Sequence, residues 1–478
     1  MESINLLRNR ISEEVHEMLS PTTKTETPNQ SMPLYRKIYD VLYLDKHIII
    51  KGDLLTQNLI KYDKKLSEVY ALSDKLCKPI FFGFEAKMTI REFLKNFPIK
   101  KILDSNNCAS LCYKKCNPLI LTIKRNDNSD HSYKKSEIFE KEVMDFIDKL
   151  NDVLYSCAFD VIFVENWGIW SKIFFSASPF ILYSKRIRFK LSQNQKSIDK
   201  SLPQSFVLPE LQSCIFRPNL NCNNLKLNIY NVGQGNFSTV CNDDKPLFVF
   251  DVGFTYHESH TSRNFTDVIV EIEKIKTKYY IISHFDLDHI LGCIYLNDDQ
   301  FNKDISWIIR DPNEVAQLSA SAKRFLMYII SSCNVYVVKK HTLTPLNLDS
   351  KKQFILYKGD GKGKSKGEKN NSLGLKVLIE SPKTALLTGD CLYNHFDSKL
   401  SKQNLDILAV PHHGCKVDDL TQISNHVLAK SDATAIISVG KNTYSHPDSN
   451  HISELSYLGF NIEKTMDFKT SHKTYDLF

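Results

Sequence analysis

No stretch of the 478 residues stays apolar for the thickness of a bilayer. The most apolar region, FDVIFVENWGIWSKIFFSASPFILY at 159–183, is interrupted by Asp160, Glu165, Asn166 and Lys172. No charged, apolar, small-residue leader opens the chain, and the twelve cysteines lack the dense spacing of a secreted disulfide scaffold. These absences predict a soluble protein of the reducing cytoplasm, with no membrane partner. Cys108, Cys112 and Cys116 lie close together, but their spacing matches no common zinc pattern and no fourth ligand is near, so they read as ordinary thiols. Charge of one sign does not dominate either. A net +7 permits a phosphate-rich partner without requiring one. With 42% hydrophobic and 24% charged residues, the composition is that of a globular chain and excludes wholesale disorder.

The length allows two or three domains with real cores. Residues 1–32 read as an amphipathic helix, INLLRNRISEEVHEML, followed by a polar linker. Residues 33–200 read as a mixed α/β domain of unknown fold and role. Its clearest helix is 135–157, where Ile138, Val143, Phe146, Ile147, Leu150 and Leu154 recur at near-helical spacing. Trp167 and Trp170, with Phe174 and Phe175, read as core or a domain interface rather than a binding face. The polar tract SQNQKSIDKSLPQSFVLPELQ at 192–212 marks the boundary, and 213–478 reads as one domain. There, short β-rich runs alternate with helical stretches, which predicts two packed sheets covered by helices.

Several of those runs end in groups that carry chemistry. YYIISHFDLDHILGCIYL, at 279–296, drives an apolar strand into His284, Asp286, Asp288 and His289. Carboxylates that close together repel one another and resist desolvation, so a bound cation is the simplest reason to keep them. Asp251 in DVG, Asp390 in TGD, His412 and His413 in PHHG, and His446 in YSHP also follow predicted strands. Strand ends can deliver such side chains from distant parts of a chain to one rim. Together these groups suffice for two divalent cations.

NVGQGNF at 231, FVFDVG at 248, SHFDLDH at 283, NNS at 370, LLTGD at 386, VPHHG at 410 and SVGKNTYSHP at 438 resemble the metallo-β-lactamase-fold hydrolase domain of the ComEC/Rec2 type. The resemblance covers roughly 225–470. It implies a four-layered αββα sandwich with metals on one edge, and hydrolysis of phosphodiesters in nucleic acid. The membrane channel of those DNA-uptake proteins has no counterpart in this sequence. Carried over position by position, His284 and Asp286 would hold one metal, Asp288, His289 and His446 the other, and Asp390 would bridge them. His446 is preferred to His413 as terminal ligand because it follows the last core strand. His412 and His413 would face substrate as catalytic groups together with Asp288, one of the pair coordinating and one contacting phosphate or protonating the leaving oxygen. Asn231 and Asn236 stand where the family has acids beside GQG, and the Asn370–Ser372 region replaces a histidine frequent in the wider superfamily. With Asp286, that makes one site oxygen-rich, so Zn²⁺ or Mn²⁺ is expected and Mg²⁺ admitted.

YKGDGKGKSKGEKNNS at 357–372 nearly spells a phosphate-cradling P-loop, but Lys358 stands where the first glycine belongs and no helical pattern follows. It reads instead as a mobile basic loop at the mouth of the site. Lys362, Lys364 and Lys366, with Asn371, Lys441 and Tyr444, are the expected substrate-binding residues. The leading expectation is a metal-dependent phosphodiesterase or nuclease acting on DNA or RNA. The rivals are a hydrolase of a small phosphoester, cyclic nucleotide or lactam, and an effector of toxin or anti-phage type switched by a protein partner on its N-terminal half.

Overall fold

A computed structural model describes residues 205–212 and 224–478, apart from 256–262, 316–317, 340–343, 350–351, 364–365, 397–401 and 443. It also describes 34–44, 47–55, 81–90, 158–163, 169–175, 181–191 and the single residues 13, 92, 93, 143 and 147. The chain divides into two compact units. One comprises Met1–Val69, Ile80–Pro203 and Ser319–Ser321, and the other Tyr70–Pro79, Gln204–Leu318 and Ala322–Phe478.

In the first unit, β1 (Leu34–Leu44), β2 (His47–Leu55), β3 (Phe82–Thr89), β4 (Ala158–Phe163), β5 (Ile169–Phe175) and β6 (Ile181–Leu191) close an antiparallel barrel in the order β1-β2-β3-β5-β6-β4. Besides these strands, the described residues of this unit include helical positions at Glu13, Ile90, Glu92, Phe93, Val143 and Ile147. The expected helix at 135–157 is described only at Val143 and Ile147, both helical and buried. The expected N-terminal helix, apart from Glu13, and the positions of Cys108, Cys112, Cys116 and Trp167 lie outside the described residues, as does the Trp170 side chain.

The second unit opens with a sheet of β7 (Leu225–Tyr230), β8 (Phe237–Asn242), β9 (Lys245–Val252), β10 (Tyr279–Ile282), β11 (Ser306–Arg310) and β12 (Asn334–Val338). β7 to β9 form an antiparallel meander, while β9 to β12 run parallel. Helices α1 (Arg263–Lys274), α2 (Leu287–Ile290) and α3 (Ala320–Ser332) fall between its strands in sequence. A second sheet contains β13 (Thr344–Asp349), β14 (Lys352–Lys358), β15 (Leu375–Glu380), β16 (Thr384–Leu387), β17 (Gln403–Ala409), β18 (Val427–Ile437) and β19 (Asn461–Lys464). It too is antiparallel at first, then parallel from β16 to β19. Helices α4 (Lys366–Ser372), α5 (Thr421–His426) and α6 (Ser449–Tyr457) belong to this half, and β20 (His472–Asp476) returns to pair with β7.

Period-two alternation decides which side chains enter which layer. Ile229, Phe250, Ile281 and Ile308 of the first sheet share one core with Leu356, Val377, Leu387 and Ile436 of the second. The alternate residues face outward. Tyr280 stacks on Trp307 at 4.4 Å, and Trp307 meets Phe325 of α3 at 5.5 Å. On the far side, Leu378, Leu386, Leu408 and Ala435 pack with Ile423 of α5 and Leu455 of α6. The layers are therefore helix, sheet, sheet, helix: an αββα sandwich, the architecture the resemblance implies. No helix among the described residues is long and apolar enough to cross a membrane.

Candidate metal centre

The C-terminal ends of parallel strands from both sheets meet at one rim, and the chemistry-bearing residues sit there. Strand β10 is four apolar residues, and its end releases Ser283 and His284. Beside it, β9 carries Asp251 as its penultimate residue, one step beyond the paired residues Ile281 and Phe250. Asp251 is buried, in a left-handed conformation with φ 57°. Its carboxylate accepts from the Ser283 backbone N–H at 2.7 Å, from Ser283 Oγ at 2.9 Å and from His289 Nδ1 at 2.8 Å. Because Ser283 gives its hydroxyl proton to Asp251, its lone pairs face His284 Nδ1 at 3.0 Å and can accept from it. Both imidazoles therefore carry their proton on Nδ1 in the neutral form and turn a bare Nε2 inward. This is the orientation a metal-binding histidine takes when its other nitrogen is held by a carboxylate or hydroxyl.

The inward target is Asp390, delivered from the second sheet on the turn after β16. Gly389 of that turn has φ 54°, and a Cβ on it would lie 2.6 Å from the Ser283 Cβ, so no side chain fits there. Asp390 Oδ1 is 3.0 Å from His289 Nε2 and 3.7 Å from His413 Nε2. Its Oδ2 is 3.5 Å from His284 Nε2 and 3.6 Å from His412 Nε2. Asp288, on the short helix α2, places Oδ2 3.1 Å from His413 Nε2, while His413 Nδ1 donates to the Ser438 carbonyl at 2.7 Å.

Adjacent residues on a strand point to opposite faces, yet His412 and His413 both reach Asp390. The backbone makes this possible. His412 (φ 51°), His413 (φ 54°) and Gly414 (φ 72°) are three consecutive left-handed residues. For a residue with a side chain, that conformation costs about 1–2 kcal/mol. Hydrogen bonds hold it: His412 N–H to the Gly389 carbonyl at 3.0 Å, Cys415 N–H to His412 at 2.9 Å, and Asp448 N–H to Gly414 at 2.8 Å.

The donor set fits a divalent cation. His284 Nε2, His289 Nε2 and Asp390 Oδ1 are buried and make no hydrogen bond, a costly state for polar atoms unless an ion completes them. Two groups of side chains bring ligand atoms within 4.8 Å of one another: His284, His289 and Asp390, and Asp288, His289 and His413. The electrostatics agree. Burial opposes charge on His289, but Asp390 and Asp251 outweigh it and hold its pKa well above the ordinary imidazole value. His284 is likewise raised against burial, chiefly by Asp390. Burial also opposes ionisation of the carboxylates, yet His289, His412 and His284 hold Asp390 well below the usual range, and His413 does the same for Asp288. The buried carboxylates call for positive charge, and nitrogen with carboxylate oxygen is a donor set for a divalent cation.

Not every expected residue lies at this point. Asp286 is at its edge, 36% exposed, with Oδ2 3.8 Å from His284 Nε2. His446 gives way to His413 as the histidine beside Asp288. The His446 ring instead lies 5.6 Å from that of His412 and is stacked by Tyr444 at 5.7 Å. Asn442 organises this outer loop by accepting from the Tyr444 and His446 backbone N–H groups at 3.0 and 3.2 Å. Lys441 is exposed on the same loop and Tyr444 is buried. Lys362 is exposed and Asn371 half-buried, while Lys364 and the Lys366 side chain lie outside the described residues. Contrary to the sequence reading, a helix does follow GKS, namely α4. Asp251 was expected at the site as a chemistry-bearing strand end, but its pairing with Ser283 to position the two imidazoles was not anticipated. Its signal was an aspartate closing the strand FVFDVG in register with the one before SHFDLDH.

No family model matches this sequence, and no curated protein matches it. Among solved structures, the chain is similar to the Zn²⁺-bound PqqB from Methylobacterium extorquens, at 10% identity and a TM-score of 0.33, over 53% of this chain and 100% of that one.

Proposed function

We propose that the second unit is a divalent-metal-dependent hydrolase of the metallo-β-lactamase, ComEC/Rec2 type, which cleaves phosphodiester bonds in nucleic acid. The observation that carries this reading is the convergence of His284, His289, Asp288 and His413 on Asp390, with three buried ligand atoms left unsatisfied. His284, His289 and Asp390 would hold one cation and Asp288, His289 or Asp390, and His413 the other, with Asp286 able to join the first. Bound there, divalent cations supply a hydroxide-strength nucleophile near neutral pH and a Lewis acid for phosphoryl oxygens. The rest falls to side chains. Asp251 and Ser283 fix the tautomers of His289 and His284. His412, 31% exposed and 3.6 Å from Asp390, is the group placed to protonate a leaving oxygen.

The test is a panel of plasmid, single-stranded DNA, RNA and cyclic nucleotides with Mn²⁺, Mg²⁺ or Zn²⁺, alongside Asp390→Asn. Polymer cleavage with a divalent ion, lost together with metal occupancy in the variant, is expected. A metal-loaded wild type inert toward every phosphodiester would refute the reading, and turnover of cyclic nucleotides alone would move the substrate class to small molecules.

A further inference from the structure

The lysine- and glycine-rich stretch is not a free loop where it is described. Gly359 N–H donates to the Gly374 carbonyl at 3.1 Å, Asp360 N–H to His395 at 3.2 Å and Gly361 N–H to Ser372 at 3.3 Å. Gly363 N–H reaches Ser372 Oγ at 3.3 Å. The approach is so close that a Cβ on Gly359 would sit 1.9 Å from the Ser372 carbonyl oxygen and 2.8 Å from Cys391 Sγ. At the centre lies His395, whose side chain is 5% exposed. Its Nδ1 faces Asp360 Oδ1 at 3.0 Å, and its Nε2 faces Glu368 Oε1 at 3.3 Å and the Asn394 amide at 3.2 Å.

This bridge has an electrostatic consequence. Both carboxylates of the stretch are turned inward onto one imidazole, while Lys362 and Lys369 are exposed. Lys362 is 82% exposed and approaches Asp360 no nearer than 4.0 Å, and Lys369 of α4 is exposed. Lys358 belongs to the anchor instead. Its ammonium is buried on Glu314 and donates to the Val338 carbonyl at 3.2 Å. Just beyond the stretch, Leu375 at the start of β15 donates its N–H to the Ser283 carbonyl at 2.9 Å, next to His284.

We propose that His395 is a positioning residue, clamping residues 359–363 onto α4 so that Lys362 and Lys369 hold the phosphate backbone of a nucleic-acid substrate beside the metal centre. This rests on the phosphodiester reading above. The physical gain is preorganisation: lysines on a fixed backbone lose less freedom on binding than lysines on a loose one.

The 478-residue chain is tested as His395→Ala and as Lys362→Ser/Lys369→Ser. The measurements are amide hydrogen exchange, metal content, affinity for a fluorescent single-stranded phosphorothioate oligonucleotide at several salt concentrations, and kcat and KM on an oligonucleotide and on bis-nitrophenyl phosphate. In His395→Ala, amides 359–363 should exchange faster and oligonucleotide affinity should fall about tenfold, as expected when charged side chains must be immobilised on binding. Oligonucleotide KM should rise with kcat, metal content and nitrophenyl turnover unchanged. The double lysine variant should lower the slope of log affinity against log salt by about 1.4, two single-strand phosphate contacts. Unchanged exchange at 359–363, equal losses on both substrates, or an unaltered salt slope would each overturn the proposal. A wild type that hydrolyses the nitrophenyl diester yet does not bind the oligonucleotide refutes the lysine contacts alone, whereas one that hydrolyses neither refutes the phosphodiester reading.

Discussion

Replacing Asp251 by Asn changes one atom in a residue that touches no substrate, and it should nevertheless cripple metal binding. The carboxylate receives three hydrogen bonds, from Ser283 N–H, Ser283 Oγ and His289 Nδ1. An amide can keep its oxygen on Ser283 N–H only by turning its NH₂ toward His289 Nδ1. That nitrogen must then accept, and its proton moves to Nε2, 3.0 Å from Asp390 Oδ1, where a metal would bind. The opposite amide orientation sets donor against donor at the buried Ser283 N–H, at a cost of about 1–3 kcal/mol. Losing such a partner typically weakens metal binding about 10–100-fold, which is about 1.4–2.7 kcal/mol. Competition against a chromophoric chelator measures the affinity, nitrogen chemical shifts of His289 report the tautomer, and circular dichroism checks the fold. Ser283→Ala should lose less, because His289 keeps Asp251 and only His284 loses an acceptor. A folded Asp251→Asn protein that binds metal within about twofold of wild type, a change well below that range, would refute this reasoning.

His413→Ala should lose metal and His446→Ala should retain it, as elemental analysis of the two purified variants will show; the reverse pattern would restore His446 to the ligand set. His412→Ala should keep its metal but slow oligonucleotide cleavage by roughly a hundredfold, the usual contribution of a general acid, with a smaller defect on a nitrophenyl ester whose leaving group needs no proton. His412→Gly, equally inactive, should melt at a higher temperature than His412→Ala, because only the glycine is free of the left-handed strain of about 1–2 kcal/mol. In chelator, the protein should be more stable near pH 6 than near pH 8: His284 and His289 are raised in the folded state, so their contribution is complete below the ordinary imidazole value of about 6.5 and is lost as pH climbs through the raised values. With saturating metal, which competes with those protons, thermal melts should show the trend reversed.

The metal cluster was legible because SHFDLDH compresses four ligand-type residues behind an apolar strand, and because each later member also follows one. The approach of His413 to Asp288 was hidden in backbone angles. Nothing in PHHG, apart from its glycine, announces a left-handed run, and that run is what swings His413 onto Asp288. Helix α4 was missed because KGEKNNS has no apolar face for a periodic pattern to detect, and its place is fixed by Ser372, Gly359 and His395 instead. The barrel of the first unit was illegible for a different reason. Its closure depends on β1 pairing with β4 and β3 with β5, contacts between residues far apart in the chain, although β6, ILYSKRIRFKL, carries a readable alternation of cations and apolar residues from Arg186 to Leu191.

His284 and His289 hang from the first sheet, Asp390 and His413 from the second, so an ion held between them is also a staple across the sandwich. Tracing the chain from His289 to Asp390 takes about a hundred residues, and a permanent link across a loop of that length removes roughly 4.7 kcal/mol of freedom from the unfolded chain. That is of the order of the whole stability of many domains, about 5–15 kcal/mol. Metal supply in the cell would then govern how many copies persist as well as how fast each one works, and starvation for the ion would clear idle enzyme through the ordinary proteolysis of loosened proteins.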